Sequence, residues 1–289
     1  MNLTKLTSRI LVLLLSSTCL LYGQAPDGEI RLIVKGDDMA AAHGINVATI
    51  DAFKRGILRT TNVIIPGPWM PEAVRLLREN PDLDAGVHLA LTSEWENIKW
   101  RPLTSAPSLV DADGYFFPMV QPRPGFPPRT SIKEAAPRLE EIERELRAQI
   151  ETAKRHIPQL TYTWSHMGFT SLSPDVRDLV ARLTRAYGLV SPPELGVQYL
   201  GRVYEGRDTG AVKADKLAAK LETLGPGTWL TVDHAATNTP EIQAIGHRGY
   251  EWVAADRSAV LEAWTSPKVI EVIKRRGIKL TNYRELTAR

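Results

Sequence analysis

Short apolar runs rich in β-branched residues alternate along the chain with longer amphipathic stretches. The apolar runs predict strands at residues 31–34, 61–65, 85–91, 162–164, 189–191, 228–232 and 278–281. The stretches between them have helical periodicity and predict helices at 46–55, 71–79, 131–156, 174–186, 213–224, 258–264 and 267–276. Strands that alternate with helices predict a parallel sheet in an α/β protein. Seven strands favour one (β/α) barrel over two domains.

Residues 92–130 interrupt this alternation. The segment contains several prolines and aromatic residues and has no helical periodicity. A connection of this length is longer than the usual loop of a compact domain, and such loops often cover or form binding sites. We therefore expect a functional loop at 92–130.

The N-terminal residues 1–23 have the pattern of a secretory signal peptide. Lys5 and Arg9 precede an apolar run at 10–15, and small residues follow, with cleavage expected after Gly23. A membrane anchor and a lipid-modified Cys19 are the alternatives, but the apolar run is short for a hydrocarbon layer of about 30 Å. The sequence thus predicts a mature domain at 24–289 that is secreted or periplasmic and makes no membrane contact after cleavage.

Composition and motif content argue against several classes of partner and of catalytic group. The net charge of +3 over 289 residues gives no reason to expect a nucleic-acid partner. Cys19 is the one cysteine, so the mature chain has neither a disulfide nor a thiol nucleophile. The sequence contains neither a glycine-rich phosphate loop nor the G-x-S-x-G pattern of a serine hydrolase.

Candidate ligands follow or end four of the predicted strands. The first strand runs into Asp37 and Asp38, the third carries His88, the fourth runs into His166, and the sixth runs into His234. Barrel enzymes place their catalytic residues at the carboxyl ends of the strands. A solvated turn for the paired carboxylates and a core position for His88 are the structural alternatives.

Two of these histidines and one carboxylate would make a set of ligands suited to a hydrolytic metal such as zinc. Open coordination positions would remain for water and substrate.

Aromatic residues of the 92–130 loop could form a stacking surface for a bound ligand. Trp95, Trp100, Tyr115 and Phe116 are the candidates. The alternative is that these residues anchor the loop itself.

Several spaced segments resemble the YdjC-like family, which includes chitooligosaccharide deacetylases. The segments are LIVKGDDMAAAHGIN, KRGILRTTNVIIPGP, ENPDLDAGVHLALT, APSLVDADGYFFP, TYTWSHMGFT and GIKLTNYREL. Together they extend over nearly the whole mature chain.

The resemblance implies an incomplete, TIM-like (β/α) barrel that removes N-acetyl groups from amino sugars or oligosaccharides. One divalent metal ion, zinc or magnesium, would be held by Asp38, His88 and His166. Asp37 would act as the general base, and His234 would give a proton to the leaving amine. The expected partner is an acetylated sugar, and a homodimer is an open alternative to a monomer.

Two stretches depart from the family pattern. Lys35-Gly36 stands before the paired aspartates where many relatives have Asn-Ala, and Asp233 and Ala235-Ala236 flank His234 where relatives have Cys and Pro-Gly. These changes leave two alternative functions open. One is a metal-dependent hydrolase of another ester or amide on the same barrel, and the other is a non-catalytic carbohydrate-binding protein.

Overall fold

The computed structural model describes residues 28–288. The predicted signal peptide 1–23, with Cys19 and the cleavage position after Gly23, lies outside the described residues. Within 28–288, no helix is both long and apolar enough to cross a bilayer.

The strands and helices alternate along most of the chain, as the periodicity predicts. The strands are β1 (Ile30–Met39), β2 (Thr60–Val63), β3 (Asp84–Leu89), β4 (Leu160–Ser165), β5 (Gln198–Tyr199), β6 (Gly227–Asp233) and β7 (Lys279–Thr281). The helices are α1 (His43–Arg55), α2 (Met70–Glu79), α3 (Leu139–His156), α4 (Pro174–Ala186), α5 (Gly210–Glu222), α6 (Pro240–Gln243), α7 (Val253–Trp264), α8 (Pro267–Arg275) and α9 (Tyr283–Thr287).

All seven strands pair in parallel in one curled sheet. Its order is β4-β3-β2-β1-β6-β5, and β7 pairs with the first half of β1. β6 runs along one edge of β1, so β7 and β2 share the other edge, β7 beside Arg31–Ile33 and β2 beside Lys35–Met39. The sheet does not close between β4 and β5. The fold is therefore the predicted incomplete (β/α) barrel.

The central strands are buried on both faces, as expected for a parallel sheet covered by helices. Leu32, Val34 and Val87 have no exposed surface. Helices α5, α7 and α8 pack together on one side of the sheet, and α3 packs against β3 and α4. This packing fixes the carboxyl ends of β1, β3, β4 and β6 relative to one another.

Three element predictions were wrong. Helix α7 begins at Val253 rather than at 258. The third helix begins at Leu139 rather than at 131, because Ala136 takes a left-handed backbone (φ 50°) and Pro137 has no amide hydrogen to donate. Residues 189–191 do not form a strand of the sheet, because Val190 makes only an isolated parallel bridge to Tyr162. The short elements β5, α6 and α9 were not predicted, because they are too short to show a period.

Candidate active site

The candidate ligands meet at the carboxyl ends of neighbouring strands. Gly36 of β1 is in register with Asp233 of β6, and His88 of β3 is in register with Trp164 of β4. His234 therefore follows β6 directly beside the end of β1, and His166 follows β4 beside His88. Parallel pairing brings side chains together that are far apart in the sequence.

A local irregularity in β1 turns Asp38 into the site. The strand continues to Met39, but its register against β2 shifts between Gly36 and Met39, and Asp38 has a φ of 71°. A bulge of this kind redirects side chains beside active sites, and a left-handed aspartate is a strained conformation that the surrounding structure must hold in place. Asp37 and Asp38 are both buried as a result.

Asp38, His88 and His166 form a nearly equilateral triangle of ligand atoms. Asp38 Oδ1 lies 3.3 Å from His88 Nε2 and 3.3 Å from His166 Nδ1. The two imidazole nitrogens are 3.2 Å apart. The three residues could hold a metal ion, because ligands arranged tetrahedrally at about 2.0–2.1 Å from zinc stand about 3.3 Å apart. We call this set the ligand triangle.

Hydrogen bonds on the far side of each ring select the tautomers that suit a metal. His88 Nδ1 lies 3.3 Å from the carbonyl oxygen of Trp164, and His166 Nε2 lies 2.8 Å from the Glu94 carboxylate. Both oxygens are acceptors, so these nitrogens are the donors. The nitrogens that face the triangle are then left with lone pairs, as in the histidine–carboxylate arrangement around bound metals.

With both rings in these neutral tautomers, three acceptor atoms converge with no donor between them. Asp38 Oδ1 is buried and makes no hydrogen bond to any residue of the described part of the chain. Acceptors at this spacing repel unless a proton or a metal cation lies among them. The two imidazole nitrogens and the unpartnered carboxylate oxygen are ligands that fit a divalent cation.

The pKa values follow from this crowding. Burial lowers the pKa of His88, so that ring is neutral. Burial also acts to lower the pKa of His166, but Glu94 and Asp38 outweigh it and raise the pKa of His166 to about 10, so that without a metal ion a proton on this ring takes the place of the cation. Burial raises the pKa of Asp38, yet the charges of His234 and Arg257 outweigh it and hold that pKa well below its ordinary value. The carboxylates create a strongly cation-attracting site.

Asp37 lies beside the triangle and is held by a buried lysine. Lys35 Nζ contacts Asp37 Oδ1 and lies 4.1 Å from the centroid of the Trp164 ring. The other carboxylate oxygen, Oδ2, lies 3.8 Å from His88 Nε2. Burial raises the pKa of Asp37, but Lys35, and after it the neighbouring His88 and His234, lower it below its ordinary value. Asp37 is thus ionised, with one oxygen directed towards the triangle.

His234 lies beside Oδ2 of Asp38, the carboxylate oxygen that does not face the triangle. Its Nε2 is 3.7 Å from Asp38 Oδ2, its Nδ1 is 3.6 Å from Asp233 Oδ1, and its side chain is 35% exposed. Burial lowers the pKa of His234, but Asp38 outweighs it, with help from Asp233, and the pKa lies above its ordinary value. An accessible imidazole with a raised pKa can supply a proton.

A cleft of about 670 Å³ opens at His234 and Asp233. Tyr199 of β5 lines it and is 59% exposed, and Trp252 lies further along its wall. Residues of the long loop, such as Arg123, close one side. The cleft is large enough for a group of the size of a small oligosaccharide.

The loop aromatics do not offer a stacking surface. Trp95, Trp100 and Phe116 are buried, and Tyr115 packs under the guanidinium of Arg101 at 4.2 Å. The alternative that they anchor their own loop is the one observed. The aromatic residues that face the cleft come instead from β5 and from the segment before α7.

Two residues of the site were missed by sequence reasoning. Glu94, from the start of the long loop, binds His166, and Arg257, from α7, donates to Asp38. A lone glutamate in a loop and a lone arginine just before the predicted helix 258–264 carry no local signal, because such residues are usually solvated. Lys35 was noted only as a departure from a pattern, and its contact with Asp37 was not predicted.

Comparisons with known proteins match the chain to one family. The sequence matches the model of the YdjC-like protein family over residues 31–275. A carbohydrate deacetylase of Thermus thermophilus is 32% identical over 239 residues, which are 75% of this chain and 82% of the relative. A carbohydrate deacetylase of Thermoanaerobacter pseudethanolicus is 29% identical over 265 residues, which are 87% of this chain and 97% of that one.

A solved structure shows the same fold. It is an Enterococcus faecalis protein, provisionally described as a cellobiose-phosphate cleavage protein, with a TM-score of 0.71 and 24% identity over 90% of this chain and 100% of its own. The segment 31–275 that matches the family model contains all of β1 except its first residue, the strands β2 to β6, and every residue of the ligand triangle. This chain is therefore a member of the YdjC-like protein family.

Proposed function

We propose that this protein is a carbohydrate deacetylase that hydrolyses N-acetyl groups of amino sugars with one divalent metal ion held by Asp38, His88 and His166. The observation that carries the proposal is the ligand triangle, in which one carboxylate oxygen and two imidazole nitrogens lie 3.2–3.3 Å apart. The relatives named as carbohydrate deacetylases support the substrate class.

Two imidazoles and one carboxylate favour zinc over magnesium, which prefers oxygen ligands and water. When bound, the ion would supply Lewis-acid chemistry by polarising the acetyl carbonyl and making a water more acidic. The residues around the triangle perform the proton transfers.

Asp37 is the general base in this proposal. Its Oδ2 faces the triangle, and Lys35 holds the other oxygen, so the carboxylate is both ionised and fixed in orientation. Asp37 takes a proton from a water molecule as the oxygen of that water forms a bond to the acetyl carbon. Positioned proton transfer of this kind contributes about 10²–10⁴-fold to the rate.

His234 is the general acid. The bond between the acetyl carbon and the sugar nitrogen breaks as His234 gives its proton to that nitrogen, and the products are acetate and the free amine. Its position on the cleft side of Asp38 supports this role, because the sugar must enter from the cleft.

We also propose that the protein is exported. The charged start, the apolar run and the small residues before Gln24 support this part of the proposal. N-terminal sequencing of protein recovered from the periplasm or the medium is expected to begin at Gln24. Recovery of the intact chain from the cytoplasm alone would contradict export.

The metal content of purified protein tests the site directly. About one divalent ion per chain is expected in the wild type and little in Asp38→Ala and His88→Ala, with acetate release from N-acetylated sugars lost in both variants and on chelation. Wild-type protein that binds no metal after reconstitution would contradict the proposal. Turnover of a non-sugar ester alone would favour the alternative hydrolase, and sugar binding without product would favour the binding protein.

A further inference from the structure

Trp69 presents an exposed indole ring beside the end of β1. Of the tryptophans in residues 28–288 it is the most exposed, at 38%. It lies in the loop between β2 and α2, and its backbone amide donates to the carbonyl oxygen of Ala40 at 2.9 Å. Ala40 comes two positions after Asp38, so the indole stands at the same end of the barrel as the ligand triangle.

The backbone around Trp69 is fixed by hydrogen bonds to a buried side chain. Asn46 Oδ1 accepts from the Ala40 amide at 2.7 Å, and Asn46 Nδ2 donates to the carbonyl oxygen of Trp69 at 3.2 Å. Pro66 and Pro68 further restrict the loop. A side chain on a fixed backbone loses less conformational entropy when a ligand covers it, so the indole is suited to binding.

His43 and Glu72 flank the indole ring. The imidazole centroid of His43 lies 5.1 Å from that of Trp69, and His43 Nδ1 lies 3.0 Å from both carboxylate oxygens of Glu72. The carboxylate accepts from Nδ1, which leaves Nε2 as an acceptor in the neutral ring and a donor in the protonated ring. The His43 side chain is 47% exposed, so either form can bond to a hydroxyl group of a ligand. We call Trp69, His43 and Glu72 the aromatic shelf.

The aromatic shelf and the cleft at His234 lie on opposite sides of the end of β1. Strands β2 and β6 pair with the two edges of β1, and Trp69 follows β2 whereas His234 follows β6. Asp37 and Asp38, at the end of β1, therefore lie between the shelf and the cleft. A substrate that reaches the shelf must extend beyond the sugar that reacts.

An indole ring with polar groups beside it is suited to a pyranose ring. The apolar C–H face of the sugar can pack on the indole, while hydroxyl groups at the sugar edge bond to polar side chains. We propose that the aromatic shelf binds a sugar ring of an N-acetylated glycan, next to the part of the chain that is deacetylated. Trp69 stacks on the ring, His43 Nε2 bonds to a hydroxyl group, and Glu72 orients His43. The inference rests on the proposed deacetylase function.

N-acetylated chitooligosaccharides of different length test the inference. Acetate release from the dimer, N,N′-diacetylchitobiose, is compared with release from the tetramer and the hexamer. We expect kcat/KM of the wild type to be at least about tenfold higher for the hexamer than for the dimer, mainly through a lower KM, because only the longer chain covers the shelf. Equal kcat/KM at every length would overturn the inference.

Variants assign the length preference to the shelf. Trp69→Ala should remove most of the hexamer-to-dimer ratio of kcat/KM, and Trp69→Phe, which keeps a ring, should retain part of it. His43→Ala should reduce the ratio less than Trp69→Ala does. The control is Val47→Ala, which removes an exposed apolar side chain of α1 outside the shelf and should keep the wild-type ratio. A wild-type ratio in Trp69→Ala would overturn the inference, and a smaller folded fraction would not change the ratio because it lowers both rates alike.

Direct binding separates this inference from the proposed function. If the wild type releases acetate from none of these oligosaccharides, the deacetylase function fails, and titration calorimetry with the dimer and the hexamer still reports on the shelf. Tighter binding of the hexamer that is lost in Trp69→Ala would then support a sugar-binding shelf without catalysis. Equal binding of the two chains, or no binding, would overturn it.

Discussion

Arg257 fixes the orientation of Asp38 in the ligand triangle. Its Nη2 donates to Asp38 Oδ2 at 2.9 Å, which leaves Oδ1 directed at His88 and His166. Arg257 is itself buried and lies 5.0 Å from the Trp95 ring. The arginine thus connects helix α7 to the irregular end of β1 and holds a strained aspartate in the conformation that the site requires.

Replacing Arg257 should weaken metal binding. Arg257→Ala leaves the Asp38 carboxylate without its donor, and residues that orient metal ligands typically contribute about 10–100-fold to affinity. We expect a loss of that size in a competition titration with a chelating dye, and a smaller loss in Arg257→Lys, which keeps the charge without the planar fork. Circular dichroism identifies the folded fraction, and wild-type affinity in folded Arg257→Ala would contradict the role.

Glu94 should act on the same property through His166. Its carboxylate accepts from His166 Nε2 at 2.8 Å and so keeps the Nδ1 lone pair directed at the triangle. Glu94→Ala should reduce metal affinity by about 10–100-fold. The matched control is Glu96→Ala, an exposed glutamate of the same loop. If both variants bind metal alike, Glu94 has no part in the site.

Variants of Asp37 and Asp38 should have different effects on catalysis and on metal binding. Asp37→Asn removes the proposed base but no atom of the ligand triangle, so kcat should fall by about 10²–10⁴-fold while the metal content stays near the wild-type value. Asp38→Asn should lose the metal itself. Measured metal content beside kcat distinguishes the two, and loss of metal in Asp37→Asn would assign that residue to the triangle instead.

Asp84 lies at the amino end of β3, away from the ligand triangle. It should make the free energy of unfolding depend on pH. It is fully buried at the start of β3, accepts from Thr60 Oγ1 at 2.8 Å, and burial raises its pKa to about 6 from an ordinary value of 3.8. The folded protein therefore holds this proton more tightly than the unfolded chain does. Stability from this group is full below pH 4 and is lost as the pH rises to about 6, a change of about 3 kcal/mol.

Asp84→Asn removes this titration. Chemical denaturation from pH 4 to pH 7 should show the free energy of unfolding of the variant rising relative to the wild type by about 3 kcal/mol. The exposed neighbour Asp82→Asn should follow the wild type across the range. A constant difference between Asp84→Asn and the wild type would show that Asp84 does not titrate in this window.

The local sequence pattern was sufficient to predict many of the helices and strands. Helix α4 begins at Pro174 and ends at Ala186 as predicted, because Ser173 caps its first turn by accepting from the Val176 amide and a proline occupies its first position. The third helix shows where local pattern fails. Its periodicity predicts a start at 131, but the left-handed Ala136 followed by Pro137 prevents the helix from forming there.

The sequence by itself determined the alternation of strands and helices, the parallel sheet, and the candidates Asp37, Asp38, His88, His166 and His234. These follow from periodicity and from the ends of strands, which depend on residues a few positions apart. Only the tertiary structure decided that Glu94, Arg257 and Lys35 orient the ligands and the base, and that His43 and Trp69 lie together beside the end of β1. The contact between Arg257 and Asp38 spans 219 positions, and the packing of α7 against α5 and α1, not any local preference, creates it.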